Sequence, residues 1–375
     1  MLRARSAALA PLLLLILVAC TTPSEKSESA IAPKPAFRLV EVATSDRQWT
    51  GMAVGAGGRI FVSFPRWSDD VPVSVGEIVD GRIVPYPDVD LNSWSPKGDA
   101  GKQFVCAQSL VADAKGALWI LDPANPRFEG IVDGGPKLVR YNLTLNRHVG
   151  SYRYQFEDSE QILVTPESYL NDVRIDLDAG YAYITDSGDG AIIVTELRKG
   201  MSRRLLDDHP STRAEEMTVN IGGKEWLGLD GAPPRVHADG IALSPDREWL
   251  YYHALTGRTL YRVPTAALRD EALPAEDLEG KVEKVAETGP VDGMIFGADG
   301  WLYISAIEEN AVKRVDTHTG RVEMVVQDPR IQWPDSFALD DKGRIWFTTS
   351  RIHLGADPAE PCRIFRIDEV EAGAD

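Results

Sequence analysis

The sequence predicts an all-β protein, specifically a six-bladed β-propeller. Three observations carry that prediction. A turn followed by a short apolar-aromatic strand recurs six times. A second strand of constant pattern precedes each turn, and helical periodicity is almost absent.

The six turn-strand copies occupy residues 57–63, 115–121, 179–185, 246–252, 299–305 and 342–348. Asp or Gly supplies the turn, and β-branched and aromatic residues supply the strand. The preceding strands are 50–54, 108–112, 171–175, 239–243, 292–296 and 335–339. Phe61 and Trp346 lie 285 residues apart over five steps, an average of 57. Compact blades need only ~40–50 residues, so insertions are implied. The longest, 81–104 and 198–236, are expected to form part of the rim of a site. Third strands follow each hairpin, such as 137–141, 259–263, 311–315 and 363–367. Short regular strands also suit a sandwich or a barrel, but repetition at this period favours blades that bury their faces on one another. Residues 265–269 make at most a short helix.

The N-terminus reads as an address. Arg3 and Arg5 precede an apolar run from Pro11 to Ala19, too short for a comfortable membrane span. Leu17-Val18-Ala19-Cys20 resembles a bacterial lipobox, in which Cys20 is lipidated and becomes the mature N-terminus. A plain signal peptide with an incidental Cys is the alternative. Four segments are therefore expected: a lipoprotein signal peptide over 1–20, a flexible tether over 21–36, the propeller over 37–370 and a tail over 371–375. The expected location is the bacterial cell envelope, exported and lipid-anchored.

Composition excludes several classes. The chain has 375 residues, 43% of them hydrophobic, too many for a disordered chain. The 57 acidic against 40 basic residues give a net charge of -17, which argues against a nucleic-acid face. Three Cys are too few for a disulfide framework or a Cys-rich zinc site. Cys106 and Cys362 form either one disulfide or two buried thiols.

In a propeller the first strand of each blade lines the central channel. Superposing the six strands puts Thr50, Gln108, Asn171, Asp239, Asp292 and Asp335 in one column. Gly51, Ser109, Asp172, Gly240, Gly293 and Ser336 form the next, and small residues there let the backbones approach the axis. An apolar column follows: Met52, Leu110, Val173, Ile241, Met294 and Phe337. The functional reading is a ring of oxygen ligands at one channel mouth. Three carboxylates with Asn and Gln amides suit a hard cation such as Ca²⁺. Converging like charges also raise pKa values or demand a counter-cation. The alternative is a purely structural column with solvated carboxylates. The candidate ligand-binding residues are Gln108, Asn171, Asp172, His237, Asp239, Asp292 and Asp335, with His237 a possible base at the mouth.

Other residues carry less. His253 ends a strand and is read as packing; His148, His209, His318 and His353 show no metal spacing. Ser187 lacks a nucleophile elbow, and Gly55-Ala56-Gly57-Gly58 is a hairpin turn, not a phosphate loop. Trp67, Trp94, Trp226 and Trp333 either wall an aromatic or amine pocket or pack between blades.

Several segments resemble the major royal jelly protein/Yellow family. They are Leu250-Tyr251-Tyr252-His253-Ala254-Leu255 running on to Leu268-Arg269, Tyr169 to Asp176 with Thr185-Asp186-Ser187, and Trp333 to Asp340 with Trp346-Phe347-Thr348-Thr349. Gln108-Ser109-Leu110 to Asp122 fits as well. The resemblance covers about 37–368 and implies a six-bladed, usually secreted propeller that binds biogenic amines or other small ligands. Some insect relatives convert dopachrome, so it also implies isomerase-type activity. His237 to Asp246 and Pro290 to Met294 are similar to SMP-30/gluconolactonase propellers. That second resemblance implies a lactone hydrolase with one divalent cation, held here by Asn171, Asp239 and Asp292, and a metal-bound water as nucleophile. The chain departs from it at Trp49-Thr50-Gly51, where a Glu ligand would stand, and at Asp239, in place of an Asn. A scaffold whose outer faces bind another envelope protein is a third reading. The expected partners are a small molecule and, through the anchor, the membrane; the chain is read as a monomer that binds no nucleic acid.

Overall fold

A computed structural model of the chain describes residues 36–154, 162–228, 230–355 and 360–370. Within them the repeats form six four-stranded antiparallel sheets, the blades of a propeller. The innermost strands are Met52–Gly55, Ser109–Ala112, Leu170–Asp176, Ala238–Leu243, Met294–Phe296 and Pro334–Leu339. Each meets the next, and the last meets the first, so they close a ring around the channel. Strand Ala36–Ser45 forms the outer edge of blade 6, antiparallel to Cys362–Val370 from Ala36 opposite Val370 to Ser45 opposite Cys362. The two ends of the domain thus lock one blade together.

The core lies between blades. Phe61, Leu110, Leu118 and Ile120 pack with Tyr86 and Tyr141 between blades 1 and 2. Trp119, Val173 and Ile184 do the same between blades 2 and 3. Each large apolar side chain buried this way contributes about 1.5–3 kcal/mol.

A second set of contacts stitches the ring near the axis. Ser63 Oγ donates to the Gln108 carbonyl at 2.5 Å, Thr185 Oγ1 to that of Asp239 at 2.6 Å, and Thr348 Oγ1 to that of Thr50 at 2.7 Å. Each hydroxyl lies in the last two residues of a second strand, and each carbonyl belongs to the next blade. The glycines beside the acids likewise meet a carbonyl of the next blade. A Cβ on Gly240 would stand 2.3 Å from the Asp292 carbonyl oxygen, and one on Gly293 would stand 2.0 Å from that of Asp335.

The expected helix at 265–269 forms as Thr265–Arg269. Ala275–Glu279 adds a helix that the repeat pattern did not signal. Cys106 and Cys362 are both free and buried, which decides for two thiols. Burial pushes the Cys106 thiol up to about 12, so it is inert at neutral pH. Among the described residues no helix is long and apolar enough to cross a membrane. The signal segment with Cys20, nearly all of the tether and the 371–375 tail lie outside the described residues.

Candidate functional site

The site begins with irregularities in three innermost strands. The register against the second strand shifts between Leu170 and Val173, between Ala238 and Ile241, and between Pro334 and Phe337. Bulges of this kind re-aim side chains. Here they fall on Asn171, Asp239 and Asp335. Blades 2 and 3 add a carboxylate brace. Asp122 accepts from the backbone N–H groups of Val105 and Cys106, while Asp186 accepts from Tyr169 N–H, Ser168 Oγ and Arg204 Nη1. These bonds hold the chain just ahead of Gln108 and Asn171.

Gln108, Asn171, Asp239, Asp292 and Asp335 line one cavity of about 370 Å³ at a channel mouth. Thr50, the sixth member of their column, turns into the wall and donates to the Gln108 carbonyl at 3.1 Å. Asp172 is buried further along the axis, 3.7 Å from Arg174. His237 is buried beside the mouth but does not line the cavity. Its Nδ1 accepts from the Ala214 N–H at 2.8 Å, and burial, then Arg213 and Arg235, lower it to about 4. It is neutral at pH 7 and serves the wall.

Trp67, Phe128, Tyr169, Trp226 and Trp333 supply the aromatic sides of the cavity. Phe128 stacks between Trp67 at 5.8 Å and Tyr169 at 5.0 Å, and Trp226 meets Trp333 edge-on at 4.8 Å. The 198–236 insertion reaches the rim through Trp226, Pro234 and Val236. The 81–104 insertion does not. Its Trp94 is buried in a cluster with Val105 and Cys106, against which Trp67 packs, so it buttresses the rim from behind. Tyr169 and Ser187 are functional candidates that the column missed, because Tyr169 precedes the innermost strand of blade 3 and Ser187 follows its second strand, Tyr181–Asp186. Phe128 gave a weak signal only, an aromatic residue just after Pro126 in a loop; it is 62% exposed.

One hydrogen-bonded chain crosses the cavity. Trp67 Nε1 donates to Tyr169 Oη at 2.9 Å, and Tyr169 donates to Gln108 Oε1 at 2.9 Å. Gln108 Nε2 donates to Asn171 Oδ1 at 3.0 Å, and Asn171 Nδ2 donates to Asp239 Oδ2 at 2.7 Å. From the other side Trp333 Nε1 donates to Asp292 Oδ2. The Trp67 indole can only donate, so from that end the chain of bonds runs in one direction through both amides. Every donor points toward Asp239 and Asp292, which lie within hydrogen-bond reach of each other.

The electrostatics follow from burial. Asp239 is held well above the usual carboxylate range by desolvation, then by repulsion from Asp292, Asp172 and Asp335. Desolvation and then Asp335 raise Asp292 likewise, against the Trp333 N–H, which favours the ionised form. Burial raises Asp335 to about 7. The Ser350 and Ser336 hydroxyls act against that rise; Oδ1 accepts from Ser336 Oγ at 3.1 Å, while among the described residues the buried Oδ2 makes no hydrogen bond of ordinary geometry. A buried acceptor left unpaired costs free energy. Among the described residues no cation lines the cavity that these acids face. Either protons or a bound cation must balance them.

The donor set is a poor match for a divalent metal. Asn171 turns an N–H, not its oxygen, toward Asp239, and its oxygen is engaged by Gln108. Among the described residues no group of three or more His, Cys, Asp or Glu side chains is arranged to hold a metal ion. Asn171, Asp239 and Asp292 therefore do not present three free oxygens to one point, and no chemical step is derived through a metal.

Residues 105–357 match the family described as Major royal jelly protein. Protein yellow of Drosophila yakuba is 24% identical over 352 residues, 85% of this chain and 62% of that protein. The chain thus spans about three fifths of the length of that relative. Among solved structures, a gluconolactonase from Xanthomonas campestris aligns with a TM-score of 0.55 at 14% identity, over 89% of this chain and 90% of that one. The PQQ-bound aldose sugar dehydrogenase of Streptomyces coelicolor aligns with a TM-score of 0.52 at 13% identity, over 89% and 99%. At such identities these two share the fold alone.

Proposed function

This chain belongs to the major royal jelly protein family, and from that premise we propose that it binds a small aromatic amine at the channel mouth. The observation that carries the reading is the pairing of an aromatic wall with a floor of buried acids, one of whose oxygens makes no hydrogen bond of ordinary geometry among the described residues. An ammonium group would balance the floor, and the rings of Trp67, Trp226 and Trp333 would take the aromatic part by stacking and cation–π contact. Asp239 and Asp292, sharing one proton, are suited to acid–base work on such a ligand. The ionised member takes a proton and the protonated member returns one. The matching reaction is an isomerisation, in which no atom is gained or lost.

Calorimetric titration with tryptamine, against its uncharged analogue 3-ethylindole, tests the binding. Tryptamine is expected to bind at least about tenfold tighter, and Asp292→Asn is expected to remove that preference while 3-ethylindole is unaffected. Equal affinity for the two compounds, or binding abolished by a chelator, would sink the amine reading. The chelator result would instead favour a metal-dependent hydrolase.

The Arg3–Cys20 pattern supports a lipid anchor in the cell envelope. Expressed in bacteria, the Cys20→Ser chain is then expected in the soluble fraction; recovery with membranes would contradict the anchor.

A further inference from the structure

We propose that the opposite mouth of the channel is a second ligand site, for a small apolar monocarboxylate, with Arg174 as its anchor. The two mouths do not communicate freely. Arg174 lies on the innermost strand of blade 3 and reaches across the axis to blade 5, where its Nη2 donates to the Met294 carbonyl at 2.7 Å. Its Nη1 donates to the Val173 carbonyl at 2.7 Å. The guanidinium therefore plugs the channel and forms the floor of a separate cavity of about 250 Å³. That is the room of about eight water molecules.

The lining of this cavity is chemically simple. One position on each of the six innermost strands contributes to it: Ala53, Val111, Arg174, Ala242, Ile295 and Ala338. Five are apolar and one is a guanidinium. Phe296, Phe337 and Leu339 close the sides, and among the described residues no other charged one lines the cavity.

The guanidinium is held but not satisfied. It carries five N–H donors, and two are used on the carbonyls above. Its nearest acid, Asp172, stands at 3.7 Å, beyond hydrogen-bond distance, and is itself raised by burial. Burial lowers the Arg174 pKa, as expected for a cation whose charge is only partly balanced. A carboxylate at this floor would accept from the spare donors, and a short alkyl or aryl group would fill the apolar sides. Arginine favours such planar, two-oxygen partners. The site does not depend on the amine reading, because the two cavities share no lining residue.

Calorimetric titration with hexanoate and with its neutral isostere hexanamide provides the test. Hexanoate is expected to bind at least about tenfold tighter than hexanamide. Arg174→Gln is expected to remove that preference. Because Arg174 also ties two blades, a second variant is Ala112→Phe, at the end of the blade 2 innermost strand where Ala112 also lines this cavity. It keeps the guanidinium and fills the cavity, and it is expected to abolish hexanoate binding with the melting curve still cooperative. Equal binding of the two probes, no binding of hexanoate at millimolar concentration, or hexanoate binding retained in Ala112→Phe would overturn the proposal.

Discussion

The unliganded protein is expected to lose stability as pH rises from about 5 to about 8, and Asp335→Asn is expected to remove a large part of that loss. The cause is the buried acid cluster. Asp335 is raised by burial to about 7, whereas in the unfolded chain it titrates near 3.8. Between those values the folded state holds a proton that the unfolded state has released. Raising the pH therefore favours unfolding, and the contribution is gone once the pH passes the folded value. From pH 5 to pH 7 this one group accounts for roughly 2 kcal/mol. Asp239 and Asp292 are shifted in the same direction, so they add to the decline. Carboxylates held low by arginines, such as Asp368 beside Arg366 and Asp328 beside Arg330, act in the opposite sense at acid pH. The stability maximum is thus expected near pH 5. Urea unfolding at several pH values measures it. A flat profile in the wild type, or an unchanged slope in Asp335→Asn, would contradict the account.

Gly293→Ala is expected to destabilise the fold by ~3 kcal/mol or more. The added methyl would stand 2.0 Å from the Asp335 carbonyl oxygen and within 3.3 Å of the Phe337 ring. The first obstacle is backbone, held in the innermost strand of the next blade, so relief requires blades 5 and 6 to part. Gly150 is the control: it lies in outer strand Arg147–Arg153 and has nothing within 4 Å of an added Cβ. Gly150→Ala is expected to stay within about 0.5 kcal/mol of wild type. Comparable losses in the two variants would remove the close-approach argument.

The fold was legible because a propeller repeats its signals. Six hairpins with the same turn chemistry, and six preceding strands in one register, leave little freedom in how the blades are assembled. The acid column was legible for the same reason: Asp239, Asp292 and Asp335 open the innermost strands of blades 4, 5 and 6. Its environment was not. Thr50 shares the column, yet a hydrogen bond to the neighbouring blade turns it into the wall. His237 was read as a base facing the mouth, but it is buried beside the cavity, and Ala214 from the 198–236 insertion donates to its ring. Rim residues such as Phe128 belong to loops, where no period operates. Arg174 carried a signal that the column reading passed over. It is the one charged residue at a position where the other five strands have Ala or a branched apolar residue. The hydroxyls of Ser63, Thr185 and Thr348, each in the last two residues of a second strand, were likewise visible as a pattern before their cross-blade bonds gave it meaning.

The proton count of amine binding reports whether the ligand meets the buried acids. If the ammonium of tryptamine balances the buried acids, it must displace protons from Asp239, Asp292 and Asp335. Titrations at pH 6 in two buffers of different ionisation enthalpy give that number. Release of between half a proton and one proton per tryptamine bound, reduced in Asp335→Asn, is the expected order of magnitude. Binding with no proton release, or release unchanged in the variant, would show that the ligand does not meet the acids, and the account of this site would be wrong.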